Sequence, residues 1–411
     1  MKISTYPMLD AEVVAGLVLE RAPLLPVEEV AIGGWEGRVL AQDVRAPRDL
    51  PRWPVSAVDG YAVRSADGGG RLRVAGESAA GRPLERALGA GEAAVILTGG
   101  VLPDGADSVV MAEDAQADGD TVVVPANPAS GANYHRPGAD ARAEEVLLAA
   151  GTELGPAEIG LAASLALDSL PLRRHPRVAL LSTGDELFAV GADVDSPGRI
   201  PDSNRHALRA ALVEAGARVT SLGIAPDDAA GLRQLVERAL EDADVVVTSG
   251  GVSVGTHDLV KPLLEELGEV HCGRVKLRPG KPFTFATLRG GKLAFGLPGF
   301  PVSSLVTFEV FVRPALRKML GCAELQRPRL AVRLGYDAAA AGDRTEYQRV
   351  SLVPEGSAWV AHTTGSQSSS RLKSLAGAHA LVRIPPGADP IPAGSEVQAI
   401  LLRLPAIPPQ L

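Results

Sequence analysis

The sequence predicts an α/β multidomain protein: a central doubly wound α/β domain, a β-rich module inserted in the N-terminal region, and a small, barrel-like C-terminal β domain. Three observations predict it. Strand and helix patterns alternate from Arg177 to Leu320, short β-type runs broken by Gly, Asp and Pro occupy about Pro51 to Pro137, and short alternating strands return beyond Cys322. The length, 411 residues, suits about two to four domains at the usual ~100 to 200 residues each.

Apolar residues recur at helical spacing from Leu9 to Glu20, and a turn-rich connector with Pro23, Pro26, Gly33 and Gly34 follows. Arg38 to Val44 reads as a short strand. In the inserted module the strands are Arg71 to Val74, Ala93 to Leu97, Ser108 to Met111 and Thr121 to Val124. Pro156 opens a helix running to Leu167, and Pro171 to Pro176 reads as a hinge. Beyond it come strand Arg177–Ser182, helix Ser203–Ala215, strand Arg218–Ile224, helix Asp227–Leu240, strand Asp244–Ser249 and helix Thr256–Leu267. That rhythm requires parallel strands joined by right-handed crossovers. Strands Pro282–Leu288 and Lys292–Gly296 and a long helix, Val302–Leu320, complete the unit. Strands at Arg329–Leu334, Gln348–Val353, Ala380–Ile384 and Glu396–Leu402 close the chain. The expected divisions are 1–172, with the module at about 50–138, then 173–322 and 323–405.

Composition narrows the function. A net charge of −8 with mixed signs, and only 4% aromatic residues, argue against a nucleic-acid partner. No apolar run approaches the ~20 residues of a membrane span, and the first residues lack a signal-peptide core, so the expectation is a soluble, cytoplasmic protein. Cys272 and Cys322 stand far apart and outside any CxxC pair, which predicts two reduced thiols.

A doubly wound sheet binds ligands at the carboxyl ends of its strands. Two segments land there: Thr183-Gly184-Asp185-Glu186-Leu187 and Ser249-Gly250-Gly251-Val252-Ser253-Val254-Gly255. The glycines and serines of the second let backbone approach a phosphate closely, or merely solve a tight turn. The pattern is neither a Walker A loop nor GxGxxG. Glu186 and Asp258 follow loops aimed at the crevice and offer hard oxygen ligands of the kind Mg²⁺ takes; Asp202 and Asp227 sit at helix starts, where a carboxylate also serves as a cap. Arg274, Lys276 and Arg278 share one face of a strand, with Lys281 just beyond, and supply charge for an oxyanion or a solvated edge. Asp59 precedes Gly60 in a pair that is also a turn signal.

These segments resemble the molybdopterin molybdenumtransferase family, MoeA and the gephyrin E domain. The matching stretches are Asp49 to Pro51, Ser56 to Ala62, Thr98 to Asp107, Ser182 to Leu187, Asp202 to Asn204, Ser249 to Gly255, Pro279 to Pro282 and Gly296 to Gly299. Their order and spacing hold from about residue 9 to 402. The resemblance implies a MogA-like central domain and an elongated homodimer, in which the inserted module of one subunit faces the α/β domain of the other. It implies the substrates adenylyl-molybdopterin and molybdate, converted to molybdenum cofactor with release of AMP and with Mg²⁺ assisting, and contact with the molybdopterin adenylyltransferase. Catalytic roles are carried to Asp59, Glu186, Asp227 and Asp258, the metal to Glu186 and Asp258. Substrate binding falls to Thr98, Asp140, Thr183, Ser249, Gly250, Gly251, Ser253, Arg274, Arg278, Lys281, Pro298 and Ser369. Three places depart from the family pattern. Phe300 stands where asparagine is usual, Arg274 and Arg278 where lysines are common, and Ser368-Ser369-Ser370 replaces glycine-serine-glycine. Alternatives are the preceding adenylyl transfer to molybdopterin, which related α/β domains perform, and a gephyrin-like scaffold.

Overall fold

The computed structural model describes residues 6–192, 196–225, 228–251 and 259–405. The α/β domain is a six-stranded sheet in the order Arg218–Ile224, Arg177–Ser182, Val245–Ser249, Lys292–Leu297, Thr284–Leu288, Gly268–Cys272. The first four strands are parallel, as the alternation of strands and helices requires. Thr284–Leu288 runs antiparallel to both its neighbours, Lys292–Leu297 and Gly268–Cys272, a direction that the sequence pattern does not specify. The reason is local: only the 3-10 turn Arg289–Gly291 separates Thr284–Leu288 from Lys292–Leu297, too short for a crossover.

Alternate residues of the central strands feed two cores. Val178, Leu180, Val245 and Val247 face helices Ala11–Arg21, Ser203–Glu214 and the long helix, while Ala179, Leu181 and Val246 face Ala229–Asp242 and Val260–Leu267. The long helix is built as Pro301–Thr307, a π-helical turn Phe308–Val312, and Arg313–Met319. Pro314 has no N–H to give to the preceding turn, and the widened turn takes up that gap.

The inserted module is a six-stranded sheet ordered Ser108–Met111, Gly60–Val63, Glu92–Ile96, Arg71–Ser78, Thr121–Val123, Gln116–Asp118. Below it, Trp35, wholly buried, donates its ring N–H to Val30 O at 2.7 Å and anchors a core with Leu40, Leu154 and Leu172. Two expectations fail in this region. The first half of the expected hinge, Pro171 to Pro176, belongs instead to strand Ser169–Arg173, paired with Val27–Ala31 inside the expected connector; the missing N–H of Pro171 falls on the other side, where Ala41 N donates to Pro171 O and only the single bridge Leu40 to Leu172 forms. Arg38 to Val44 is not one strand, because Val39 and Leu40 bridge different partners, Glu153 and Leu172, and pairing proper is confined to Val44–Arg45 with Val146–Leu148.

The C-terminal β strands form a seven-stranded sheet that takes in Leu9–Asp10 and Val275–Arg278. The cationic strand therefore leaves the α/β sheet and pairs with Thr345–Glu355, Leu277 opposite Thr345 and Arg278 opposite Glu346. Among the described residues no helix is long and apolar enough to cross a membrane.

Candidate functional site

Three parallel strands end level with one another: Ser182 is opposite Ser249, and Ser249 is opposite Leu297. The ladder continues one step past their ends, as Thr183 N donates to Ser249 O at 2.9 Å and Gly250 N to Leu297 O at 3.0 Å. This brings together Thr183, Ser249, Gly250, Gly251 and Pro298 as the floor of a crevice. Both glycines have positive φ, +90° and +66°. A Cβ on Gly250 would lie 2.3 Å from Thr183 O, and one on Gly251 2.6 Å from Thr183 Oγ1. Their first duty is to let two strand ends touch. Thr183 Oγ1 is buried there and finds no hydrogen-bond partner among the described residues. An orphaned hydroxyl under a crevice is a group that a ligand or water would satisfy.

Asn204, quoted in the sequence comparison but not as a site residue, ties the floor together. Its Nδ2 donates to Ser249 Oγ at 2.9 Å and to Gly299 O at 2.7 Å. With that acceptor position filled, the Ser249 hydroxyl keeps its own proton to donate. Asp202 is buried and accepts from Ser182 Oγ at 2.9 Å, Arg205 Nε at 2.7 Å and Arg205 N at 3.3 Å. It is the helix cap of the sequence reading. Glu186 is exposed, and neither it nor Asp185 forms an ion pair among the described residues. Ser253, Asp227 and Asp258 lie outside the described residues; the cap of the helix Ala229–Asp242 is Asp228, which accepts from Gly231 N at 2.7 Å. Among the described residues no cluster of three His, Cys, Asp or Glu is arranged to hold a metal ion.

Ser369 reaches this edge from the C-terminal domain: its carbonyl accepts from Val302 N at 3.1 Å, at the first turn of the helix after Pro298-Gly299-Phe300-Pro301. The serine run is held from below by Arg349, 1% exposed, which donates to Ser366 O and Ser368 O at 3.1 Å each. Burial pulls its guanidinium below the usual arginine range. None of Ser368, Ser369 or Ser370 has positive φ, so this turn has no need of the family's glycines. Phe300 occupies the N-cap without a side-chain cap bond, its ring 60% exposed.

The cations are less available than their alternation suggested. Lys276 pairs with Asp10 at 3.1 Å, and Arg278 with Glu346 at 3.4 Å. Glu346 in turn accepts from Gln348 Nε2 at 3.3 Å, and Tyr336, which donates to Gln348 Oε1 at 2.6 Å, has its phenol pushed up to about 12 by burial and by Glu346. Arg274 is half-buried and Lys281 exposed; neither side chain forms an ion pair among the described residues. Cys272 and Cys322 are free, buried thiols, with Cys272 raised to about 11 by burial.

Asp59 and Thr98 form a separate centre on the inserted module. Asp59 Oδ1 accepts from Thr98 N at 2.7 Å and Thr98 Oγ1 at 2.8 Å, and these bonds, the backbone one first, hold its carboxyl below the usual range. Gly60 must be glycine, since a Cβ would meet Val110 O at 2.0 Å. Asp140 lines a different cavity, about 520 Å³, with Pro51, Val55 and His135. Among the described residues no hydrogen bond or ion pair joins this module to the crevice of its own chain.

Fold and site define a multidomain α/β protein with a polar ligand crevice at the carboxyl edge of a doubly wound sheet. Comparison with known proteins makes this specific. The MoeA N-terminal region (domain I and II) matches residues 10–166, the probable molybdopterin binding domain matches 179–318, and the MoeA C-terminal region (domain IV) matches 331–402. A molybdopterin molybdenumtransferase of Nostoc sp. is 36% identical over 97% of this chain and 94% of its own length. Gephyrin of Dictyostelium discoideum is 34% identical over 97% of this chain, which spans 63% of gephyrin. The crystal structure of a molybdopterin biosynthesis MoeA protein from Pyrococcus horikoshii superposes with a TM-score of 0.82 at 32% identity, covering 96% of this chain and 99% of that one. The chain belongs to the molybdopterin molybdenumtransferase (MoeA) family.

Proposed function

We propose that this chain inserts molybdate into adenylyl-molybdopterin and releases AMP, forming molybdenum cofactor. The observation that carries the reading is the crevice floor, with its orphaned Thr183 hydroxyl and donating Ser249 hydroxyl, in a chain matched end to end by molybdopterin molybdenumtransferases. The turn Ser249–Gly251 with Thr183 and Pro298 receives the phosphate or pterin side of the substrate. Ser369 closes one wall, and Arg274 and Lys281, outside any ion pair among the described residues, offer charge to molybdate or phosphate. The dithiolene sulfurs that take molybdenum belong to the substrate, so two buried thiols suffice for the protein.

Asp59, ionised at neutral pH and oriented by Thr98, positions water or accepts a proton. Because its module makes no bond to its own crevice among the described residues, we assign Asp59 to the crevice of a second copy in a homodimer. Exposed, unpaired Glu186 fits Mg²⁺, which takes one or two carboxylates and completes its shell with phosphate oxygens and water. Asp258, outside the described residues, is the second candidate ligand. When bound, Mg²⁺ would neutralise charge on the phosphates.

The test is to supply purified protein with adenylyl-molybdopterin, with and without molybdate. AMP release should require molybdate, fall on chelation and return with added Mg²⁺. Release that ignores molybdate would remove the insertase reading in favour of adenylyl-group chemistry. Absence of turnover in a protein that supports cofactor synthesis in cells would favour a scaffold.

A further inference from the structure

At the amino end of the α/β sheet, strands Arg177–Ser182 and Arg218–Ile224 and helix Ala229–Asp242 enclose a cavity of about 470 Å³. Its wall is apolar, formed by Val178, Ala179, Leu222, Leu235 and Ala239. Three arginines line it, Arg177, Arg218 and Arg238, against a single carboxylate, Asp242. Among the described residues, none of the three guanidiniums makes a hydrogen bond or ion pair with a carboxylate. The neighbouring acid, Asp244, is already saturated: Arg174 takes both its oxygens at 2.8 and 2.9 Å, and Arg177 N adds a bond at 2.8 Å.

Guanidinium stays charged at any physiological pH; all three are exposed, so solvent screens their mutual repulsion, and together they present a local positive field at the rim of the hollow. The chain as a whole carries 49 acidic against 41 basic residues, so this concentration of positive charge is not an overflow of a basic surface. Below the charges lies room for an apolar body, within the roughly 300 to 1,000 Å³ typical of small-molecule sites. We propose that this cavity binds a small amphipathic organic anion, its carboxylate or phosphate head on Arg218, Arg238 and Arg177 and its apolar body against Leu222 and Leu235. The cationic head of the cavity lies at the opposite end of strand Arg177–Ser182 from Thr183, since Arg177 precedes Thr183 by roughly 20 Å at ~3.3 Å per residue, while the apolar wall reaches Ala179 and Leu222. It is therefore distinct from the crevice.

Calorimetric titration of the full chain with decanoate tests this. Saturable binding of one decanoate per chain is expected, at least about 10-fold tighter than decanol, which lacks the charge, or acetate, which lacks the tail. The double variant Arg218→Gln, Arg238→Gln should weaken decanoate about 10-fold or more, while Arg209→Gln, an exposed arginine on another helix, should not. Equal binding of decanol, no saturable binding, or indifference to the double variant overturns the proposal. Binding of a hexaglutamate peptide without decanoate binding would replace it with an acidic macromolecular partner.

Discussion

The crevice of the α/β domain and the Asp59 centre of the inserted module place polar groups by opposite means. In the crevice the polar atoms are fixed by several elements at once: Thr183 N and Gly250 N by the strand ends, Ser249 Oγ and Gly299 O by Asn204 of the helix Ser203–Glu214. Asp59 is exposed and is oriented by one residue, Thr98. A floor that doubles as core tolerates little change in shape. An exposed carboxylate at the start of strand Gly60–Val63 tolerates substitution structurally and keeps its chemistry vulnerable. Stability should therefore be lost in the first region and activity in the second.

The strongest challenge to that division is Gly250→Ala. The new Cβ would need to clear a backbone carbonyl at 2.3 Å and sit at φ +90°, so we expect a loss of about 3 kcal/mol and a melting temperature lower by roughly 6 to 12 °C. Gly251→Ala meets only side-chain atoms, Thr183 Oγ1 at 2.6 Å and Val260 Cγ2 at 2.9 Å, and should cost less. If the two variants melt alike, the backbone contact with Thr183 is not what fixes the turn. The counterpart on the module is Asp59→Asn, expected to slow molybdate-dependent AMP release by about 100-fold or more while melting unchanged. Unaltered turnover at saturating molybdate would take Asp59 out of the chemistry.

Much of this arrangement was legible in the sequence, and the misses have physical causes. The α/β alternation survives because the central strands Arg177–Ser182, Val245–Ser249 and Lys292–Leu297 are buried on both faces and the helices between are amphipathic, patterns that periodicity detects. Gly250 and Gly251 were legible as a close approach, but sequence could not tell whether the neighbour was ligand or Thr183. Strand Val275–Arg278 was visible as alternating charge, yet its partner, Thr345–Glu355, is 70 residues away, and only the fold shows Arg278 facing Glu346. That partner strand, expected over Gln348–Val353, begins at Thr345, and its polar Glu346, Gln348 and Arg349 are all buried, which apolar patterning does not report. Asn204 was missed because its role lies in joining two loops, which no local spacing reports. The reversed direction of Thr284–Leu288 was not legible because its apolar run reads the same either way.

Asn204→Ala sharpens the comparison from inside the crevice. It deletes two hydrogen bonds that join separate loops, each worth ~0.5 to 1.5 kcal/mol, so a loss of about 1.5 kcal/mol is expected in thermal unfolding. With Ser249 no longer held, KM for adenylyl-molybdopterin should rise more than kcat falls. A fall in kcat alone would place Asn204 in the chemical step. Phe300→Asn works in the other direction. It exchanges a 60% exposed ring at an uncapped helix start for a capping side chain, and should stabilise by about 1 kcal/mol in denaturant unfolding. No gain would mean that Ser369, through Val302 N, already satisfies this end of the helix.

The smallest effect expected is the most specific to the module. Thr98→Val keeps the backbone N–H that Asp59 accepts and removes only the hydroxyl. Both bonds favour the ionised carboxyl, the backbone one more, so the variant's Asp59 should titrate higher than in the parent but still below an ordinary aspartate. The sign for stability follows from linkage: a carboxyl whose folded pKa is depressed contributes stability present above its unfolded value and lost as pH falls through the folded one. Since Asp59 is exposed, solvent screens that contribution, and unfolding at neutral pH should barely change. The readout is instead the carbon-13 shift of the Asp59 carboxyl against pH, with the acid limb of the pH–rate profile moving upward by the same amount. A carboxyl that titrates identically in the two proteins would mean that the Thr98 hydroxyl does not orient Asp59, and the contrast between a floor set by many bonds and a carboxylate set by one residue would rest on the backbone N–H alone.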